Sequence, residues 1–260
     1  MVSLYFLCDL AFYALNSNSF GSNCNVGETL KTINTGVRMA HYFGFIPSDE
    51  LKALIIEAEQ IVESNVETDY YPYRDALTHQ TARDLTDKLL VGLVDIIPNP
   101  ERQAAMRKVV GTVEKATDTL LNILLGKENN EEVLPSFHFL RDKATFIDNE
   151  GEKRIGFKLS DADAKIIDAG FAAVTPEHVD MKTFKTALET MNEETLTHFI
   201  SRYAETLKLG MIKRKSVPVA KAAIDKGMTM ALNKLLPDLP DASLNRLANY
   251  YRPFIVKKPE

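Results

Sequence analysis

Apolar residues recur three and four positions apart along most of this chain, and the clearest such run, 81–126, predicts two amphipathic helices folded back on each other. In the first arm Ala82, Leu85, Leu89, Gly92, Leu93 and Ile96 share a face, and in the second Met106, Val109, Val113, Ala116, Leu120 and Ile123 do so. The turn is spelled by Ile97-Pro98-Asn99-Pro100. Pro98 ends one helix, Asn99 offers a side-chain oxygen as N-cap, and Pro100 occupies the first helical position, where a missing N–H costs nothing. Gly126 predicts a left-handed stop.

Upstream, Met1–Leu15 is the most apolar stretch, but Asp9 interrupts it, no Lys or Arg precedes it, and it is too short to span a bilayer. A buried or interface-forming helix is the expectation, with export the alternative. Residues 29–42 predict a helix ending at Gly44. Ser48 caps the next, whose buried stripe is Leu51, Leu54, Ile55, Ala58, Ile61 and Val62. Residues 68–74, with Tyr70, Tyr71, Pro72 and Tyr73, read as an irregular connection.

Downstream of Gly126 the pattern changes. Lys127–Pro135 is charged and turn-forming, and Phe137 and Phe139, then Thr145–Ile147 and Arg154–Phe157, alternate as strands around the turn Asp148-Asn149-Glu150-Gly151. Helices resume after Ser160, at Thr175-Pro176-Glu177, after Asp180 as far as Thr190, from Asn192 to Leu209, from Ser216-Pro218 to Leu235, and from Pro240-Asp241 to Pro253. The expected fold is mainly α, a bundle-like set of eight to ten helices with one small β-hairpin near the middle. A border at 126–135 would divide the chain into 1–126 and 127–260, or lie within one compact domain.

The chain has 260 residues, 45% hydrophobic and 26% charged, and this composition sets aside disorder as the default. A net charge of −5 argues against a dedicated nucleic-acid binder. Cys8 and Cys24 are too few for a disulfide framework or a thiolate metal site. A cytoplasmic protein without a cofactor is the expectation.

Candidate chemistry is sparse. No zinc-protease helix motif, nucleophile elbow or phosphate loop occurs. Asp148–Gly151 lacks the spacing of a calcium loop, and Glu177, His178 and Asp180 fit the acidic first turn of a helix as well as a ligand set. His198 falls off the Leu196, Phe199, Ile200, Tyr203 and Leu207 stripe and is expected to face solvent. The best catalytic grouping is Glu59 and Glu63, one turn apart on one helix, with His79, Asp84 and Asp87 at the beginning of the next; antiparallel packing of the two helices would bring these carboxylates and the imidazole together on a metal. Helical periodicity places Glu63 toward water, which counts against that site.

Charge is unevenly spread. Residues 49–69 are acidic and residues 202–234 basic, and within the latter Lys213-Arg214-Lys215 is expected to be an exposed contact between helices for an acidic partner or anionic surface. Three functions follow as expectations: a helical interaction module or homo-oligomer that covers the N-terminal apolar segment, a carboxylate-based metal hydrolase, or a peripheral binder of anionic surfaces.

Overall fold

The computed structural model describes residues 38–64 and 67–259. Among the described residues eight helices pack beside one four-stranded antiparallel sheet. Chain order is β1 (Met39–Phe45), α1 (Asp49–Ser64), α2 (Tyr71–Thr86), α3 (Pro100–Leu124), α4 (Asn130–Asp142), β2 (Thr145–Ile147), β3 (Lys153–Lys158), α5 (Asp161–Ala172), α6 (Met181–Leu196), α7 (Met211–Leu235), α8 (Asp241–Tyr251) and β4 (Ile255–Pro259). Two helices run on through a wider π-helical turn: α2 through Asp87–Val91 into Gly92–Val94, and α6 through Thr197–Arg202 into Tyr203–Glu205.

Most helix starts lie where cap chemistry puts them. Asn99 Oδ1 accepts from the Glu101 and Arg102 N–H groups at 2.9 and 3.1 Å, with Pro100 opening α3. Ser48, Ser160 and Asp180 cap α1, α5 and α6 in the same way. Each satisfies N–H groups that the first helical turn leaves without partners.

Other elements differ from expectation. The tyrosine-rich stretch is not a loop: α2 begins at Tyr71 with Pro72 in its first turn, and buried Tyr70 lies edge-on to Phe137. Gly126 does not stop α3 in a left-handed conformation, because the chain simply extends at Leu125. The Gly126 carbonyl instead accepts from Arg74 at 2.7 Å. That guanidinium is fully buried and also binds Asp75 and Glu128. Burial opposes its charge, but those two carboxylates outweigh burial and raise its pKa further. The second arm of the hairpin buries Val110, Leu121 and Leu124, while Ile123, expected inside, is exposed.

Phe137 and Phe139 lie on a helix rather than a strand. Asn129 caps α4 and its first turn holds Glu131 and Glu132, so Val133, Ser136, Phe137 and Leu140 form the inward stripe, while Pro135 is accommodated in the helix at an exposed position. Asn192 does not open a helix; it sits buried inside α6 and donates to Asp225. Thr175-Pro176-Glu177 is a turn in which Thr175 Oγ1 accepts from the His178 N–H at 3.1 Å. Residues 39–42, expected helical, form part of β1, and the N-terminal apolar segment lies outside the described residues.

The mid-chain hairpin is present as β2 and β3, and Gly151 supplies the positive φ that its turn needs. It is half of a larger sheet in the order β2-β3-β1-β4, completed by strands drawn from residues 39–45 and 255–259. Phe43 pairs with Phe157 across β1 and β3, and with Phe45, Ile155 and Phe254 it builds the core beside the sheet.

Candidate functional site

The residues expected to carry chemistry are dispersed. Asp84 is buried, and its carboxylate accepts from the Ser48 N–H at 2.7 Å, the Ser48 hydroxyl at 2.9 Å and Gln80 at 3.0 Å. Three donors leave it a structural clasp between α1 and α2. His79 turns the other way, its Nδ1 3.7 Å from Asp118 on α3. Glu59 pairs with Lys153 at 2.9 Å, Glu63 is exposed, and Asp87 is an exposed member of the first π turn. Among the described residues no three His, Cys, Asp or Glu side chains converge on a metal-sized point.

Lys213, Arg214 and Lys215 do not lie between helices; they occupy the start of α7, which Gly210 opens without a side-chain cap. Lys213 is half-buried and points at the last carbonyls of α3, 3.4 Å from the Leu124 oxygen, where the helix dipole favours a cation. Arg214 and Lys215 are exposed. Beside them stand Met211 and Ile212, 76% and 87% exposed.

An apolar concavity lies elsewhere, between α2, α3, α6 and α7. It is a cavity of about 90 Å³ walled by Leu85, Leu89, Leu120, Leu124, Phe199 and Ile224 among others, with five threonines and Tyr203. None of the described residues that line it carries a charge. Four of the five threonines are not free to serve a ligand: Thr78, Thr81, Thr86 and Thr195 each donate to a carbonyl of the preceding helical turn, at 2.7 to 3.0 Å. With the hydroxyls tied back, the surface they add is largely methyl. The Tyr203 hydroxyl is shared with Thr78 at 2.7 Å, and burial pushes its pKa up to about 12, so it stays neutral. Smaller voids of about 30 and 20 Å³ adjoin the cavity on either side, sharing Thr81 and Leu140 with it at one and Leu89, Leu90 and Met228 at the other.

Both π turns border this cavity, the first through Leu89 and Leu90, the second through Phe199 and Ile200. A π turn is rare because it loosens the hydrogen-bond ladder, and it persists where something else satisfies the backbone. Here α8 does so. The Tyr250 and Tyr251 hydroxyls donate to the Lys88 and Leu89 carbonyls at 2.9 and 2.6 Å. Tyr250 reaches its place only because residue 92 is glycine; a Cβ there would lie 2.1 Å from the tyrosine oxygen.

The site most unlike its sequence reading is His198, on the second π turn. Instead of facing solvent it is 4% exposed, stacked on Phe157 at 4.5 Å and 14° and tilted against Phe139 at 5.0 Å. The extra residue of the π turn rotates it off the helical position that a regular 3.6 period assigns. Sequence spacing carries no signal for that rotation. No family model matches the chain, and neither the curated proteins nor the solved structures contain a match.

Proposed function

We propose that the protein is a binding protein for a slender apolar molecule, held in the uncharged cavity between α2, α3, α6 and α7. The observation that carries this reading is the cavity itself, with a π turn on each of two walls. Ligand sites in helical bundles are built between facing helices, and a dry apolar void gains dispersion contacts when filled. With no acid, base or nucleophile in the lining, binding rather than bond chemistry is what the cavity supports.

The test is thermal stabilisation by small apolar probes. Xenon and 1-decanol should raise Tm in a dose-dependent way, since a ligand that binds only the folded chain stabilises it by mass action. Ala82→Leu, which adds bulk at the cavity wall, should blunt that rise. If neither probe raises Tm, or if Ala82→Leu leaves the response intact, the reading fails.

A second reading rests on the tip of α7. Met211 and Ile212 are the most exposed large apolar side chains among the described residues, and Lys213, Arg214 and Lys215 follow directly. Apolar insertion beside a cationic cluster is the physical basis of attachment to anionic lipid. Among the described residues no helix is long and apolar enough to cross a membrane, so such contact would be peripheral. Sedimentation with phosphatidylserine vesicles tests it: binding should fall with salt and with Met211→Ser/Ile212→Ser, and equal recovery on phosphatidylcholine alone would rule it out. The interaction-module reading depends on the N-terminal apolar segment, outside the described residues.

A further inference from the structure

Beyond the interhelical cavity, we propose that copies of this chain associate head to tail, the outer face of α7 in one copy docking on the outer face of α1 in the next. The 25-residue α7 buries Val217, Ile224, Ala231 and Leu232 on its inner side. At 3.6 residues per turn, Ile212, Val219, Ala223 and Met230 fall within about 20° of one line along the opposite side. All four are exposed, Ile212 and Val219 by 87% and 70%. Single exposed apolar residues are ordinary, but a stripe repeated along one side of a helix is the pattern of a face that meets another element. Lys215 and Lys226 flank it, exposed and without an ion-pair partner among the described residues. The one acid of α7, Asp225, sits about 140° round the helix and accepts from Asn192 on α6.

Charge indicates the occupant. α1 buries Leu51, Ile55 and Ala58, and its outer side carries Ala53, Ile56 and Gln60, with Ile56 55% exposed. Glu50, Glu57 and Glu63 border that strip, and all three are exposed. Glu50 and Glu57 have no ion-pair partner among the described residues, and Glu63 lies in the field of Arg141, which is itself paired with Asp142. The one cation of α1, Lys52, is half-buried and folded onto Asp49 at 3.4 Å. α1 thus presents an apolar strip with acidic flanks where α7 presents one with basic flanks.

The two faces also decide the symmetry. A contact of α7 with α7, or of α1 with α1, would oppose like charges, so the complementary contact joins unlike faces. Such a contact leaves an unused face at each end and extends unless its rotation closes a ring. The lengths are compatible: α1 is about 24 Å long and α7 about 37 Å, so α1 fits along the stripe. With one helix from each copy, the contact belongs among small interfaces of under ~1,200 Å², and the exposed charges at its edge set partner and register more than affinity. Association is therefore reversible, concentration-dependent and weakened by salt.

The experiment is sedimentation velocity on the full chain, from micromolar to millimolar concentration, at low and at half-molar salt. The sedimentation coefficient should rise with concentration at low salt, and half-molar salt should weaken the association by roughly tenfold or more. Lys215→Glu/Lys226→Glu on α7 and Glu57→Lys/Glu63→Lys on α1 should each give a monomer of parental Tm, since all four positions are exposed. Mixed one to one, the two variants should associate again, because each reversed face meets its complement on the other. Should either reversal unfold the chain, Ile56→Asp and Val219→Asp must each abolish association instead. The proposal is overturned if the parent stays monomeric, if half-molar salt leaves the association intact, if either reversed variant still associates, or if the mixture stays monomeric. Binding of phosphatidylserine vesicles by a parent chain that does not self-associate would assign the α7 face to lipid and overturn it as well. Stabilisation by xenon or 1-decanol bears on none of these outcomes, so the cavity and this contact stand or fall separately.

Discussion

At the scale of single residues, His198 has the largest consequence. Burial, aided by the nearby Arg202 charge, lowers its pKa to about 4, against the ordinary 6.5 of an unfolded chain. Between those values the unfolded chain holds a proton that the folded chain does not. Stability should therefore fall as pH drops from about 6.5 to about 4 and be free of this contribution at pH 7, with a total loss on the order of 3 kcal/mol. Carboxylates such as Asp148 and Asp142 also lose stabilising pairs in acid, so the measurement is the difference between the parent and His198→Leu in urea melts across pH. The variant should lose the slope between pH 6.5 and 4 while keeping its stability at pH 7; an unchanged slope would place the imidazole in water. Caps were legible at this scale because they are local: Asn99, Ser160 and Asp180 need only their own helix. Burial of Arg74, Asn192 and His198 was not legible, since each is decided by groups distant in sequence, such as Glu128, Asp225 and Phe157.

At the scale of elements, the π turn after α2 depends on α8 as much as on its own residues. Tyr251→Phe removes the donor to the Leu89 carbonyl and leaves that oxygen buried, at a cost of about 1–3 kcal/mol by denaturant melt. Gly92→Ala drives a methyl into Tyr250 and should cost about 1–3 kcal/mol as overpacking; together the two substitutions should cost less than their sum, because both undo the same support. Additive effects would show the turn to be independent of α8. On α3, Leu120→Ala should cost about 2–5 kcal/mol and Lys115→Ala little, since Leu120 is buried and also walls the cavity. The hairpin turn was readable from Pro98, Asn99 and Pro100. The stripes beside it were only partly so, because a π turn shifts the phase of every residue after it and Phe137 and Phe139 fit a strand alternation as well as a helix that only Asn129 distinguishes.

At the scale of the whole molecule, the mainly helical character was written in periodicity and the β2–β3 hairpin in the alternation around Asp148–Gly151, but the rest of the sheet was not, because β1 and β4 find their partners only across the chain. β4 is an edge strand, and Lys257, Lys258 and Pro259 blunt it against further pairing. Deleting residues 255–260 would leave β1, which carries Tyr42, Phe43 and Phe45, as the new edge. The shortened chain should lose Tm and form higher oligomers on size-exclusion chromatography; a monomer of parental Tm would mean that β4 contributes nothing to closing the sheet. The same pairing of Met39 with Pro259 governs assembly over time. At the usual ~5–20 residues per second of synthesis, β1 waits on the order of 10–40 s for the strand that covers it. β3 can cover one side of β1 sooner, but the side left for β4 stays an open template throughout that interval, which makes the nascent chain a client for chaperones that mask extended apolar segments.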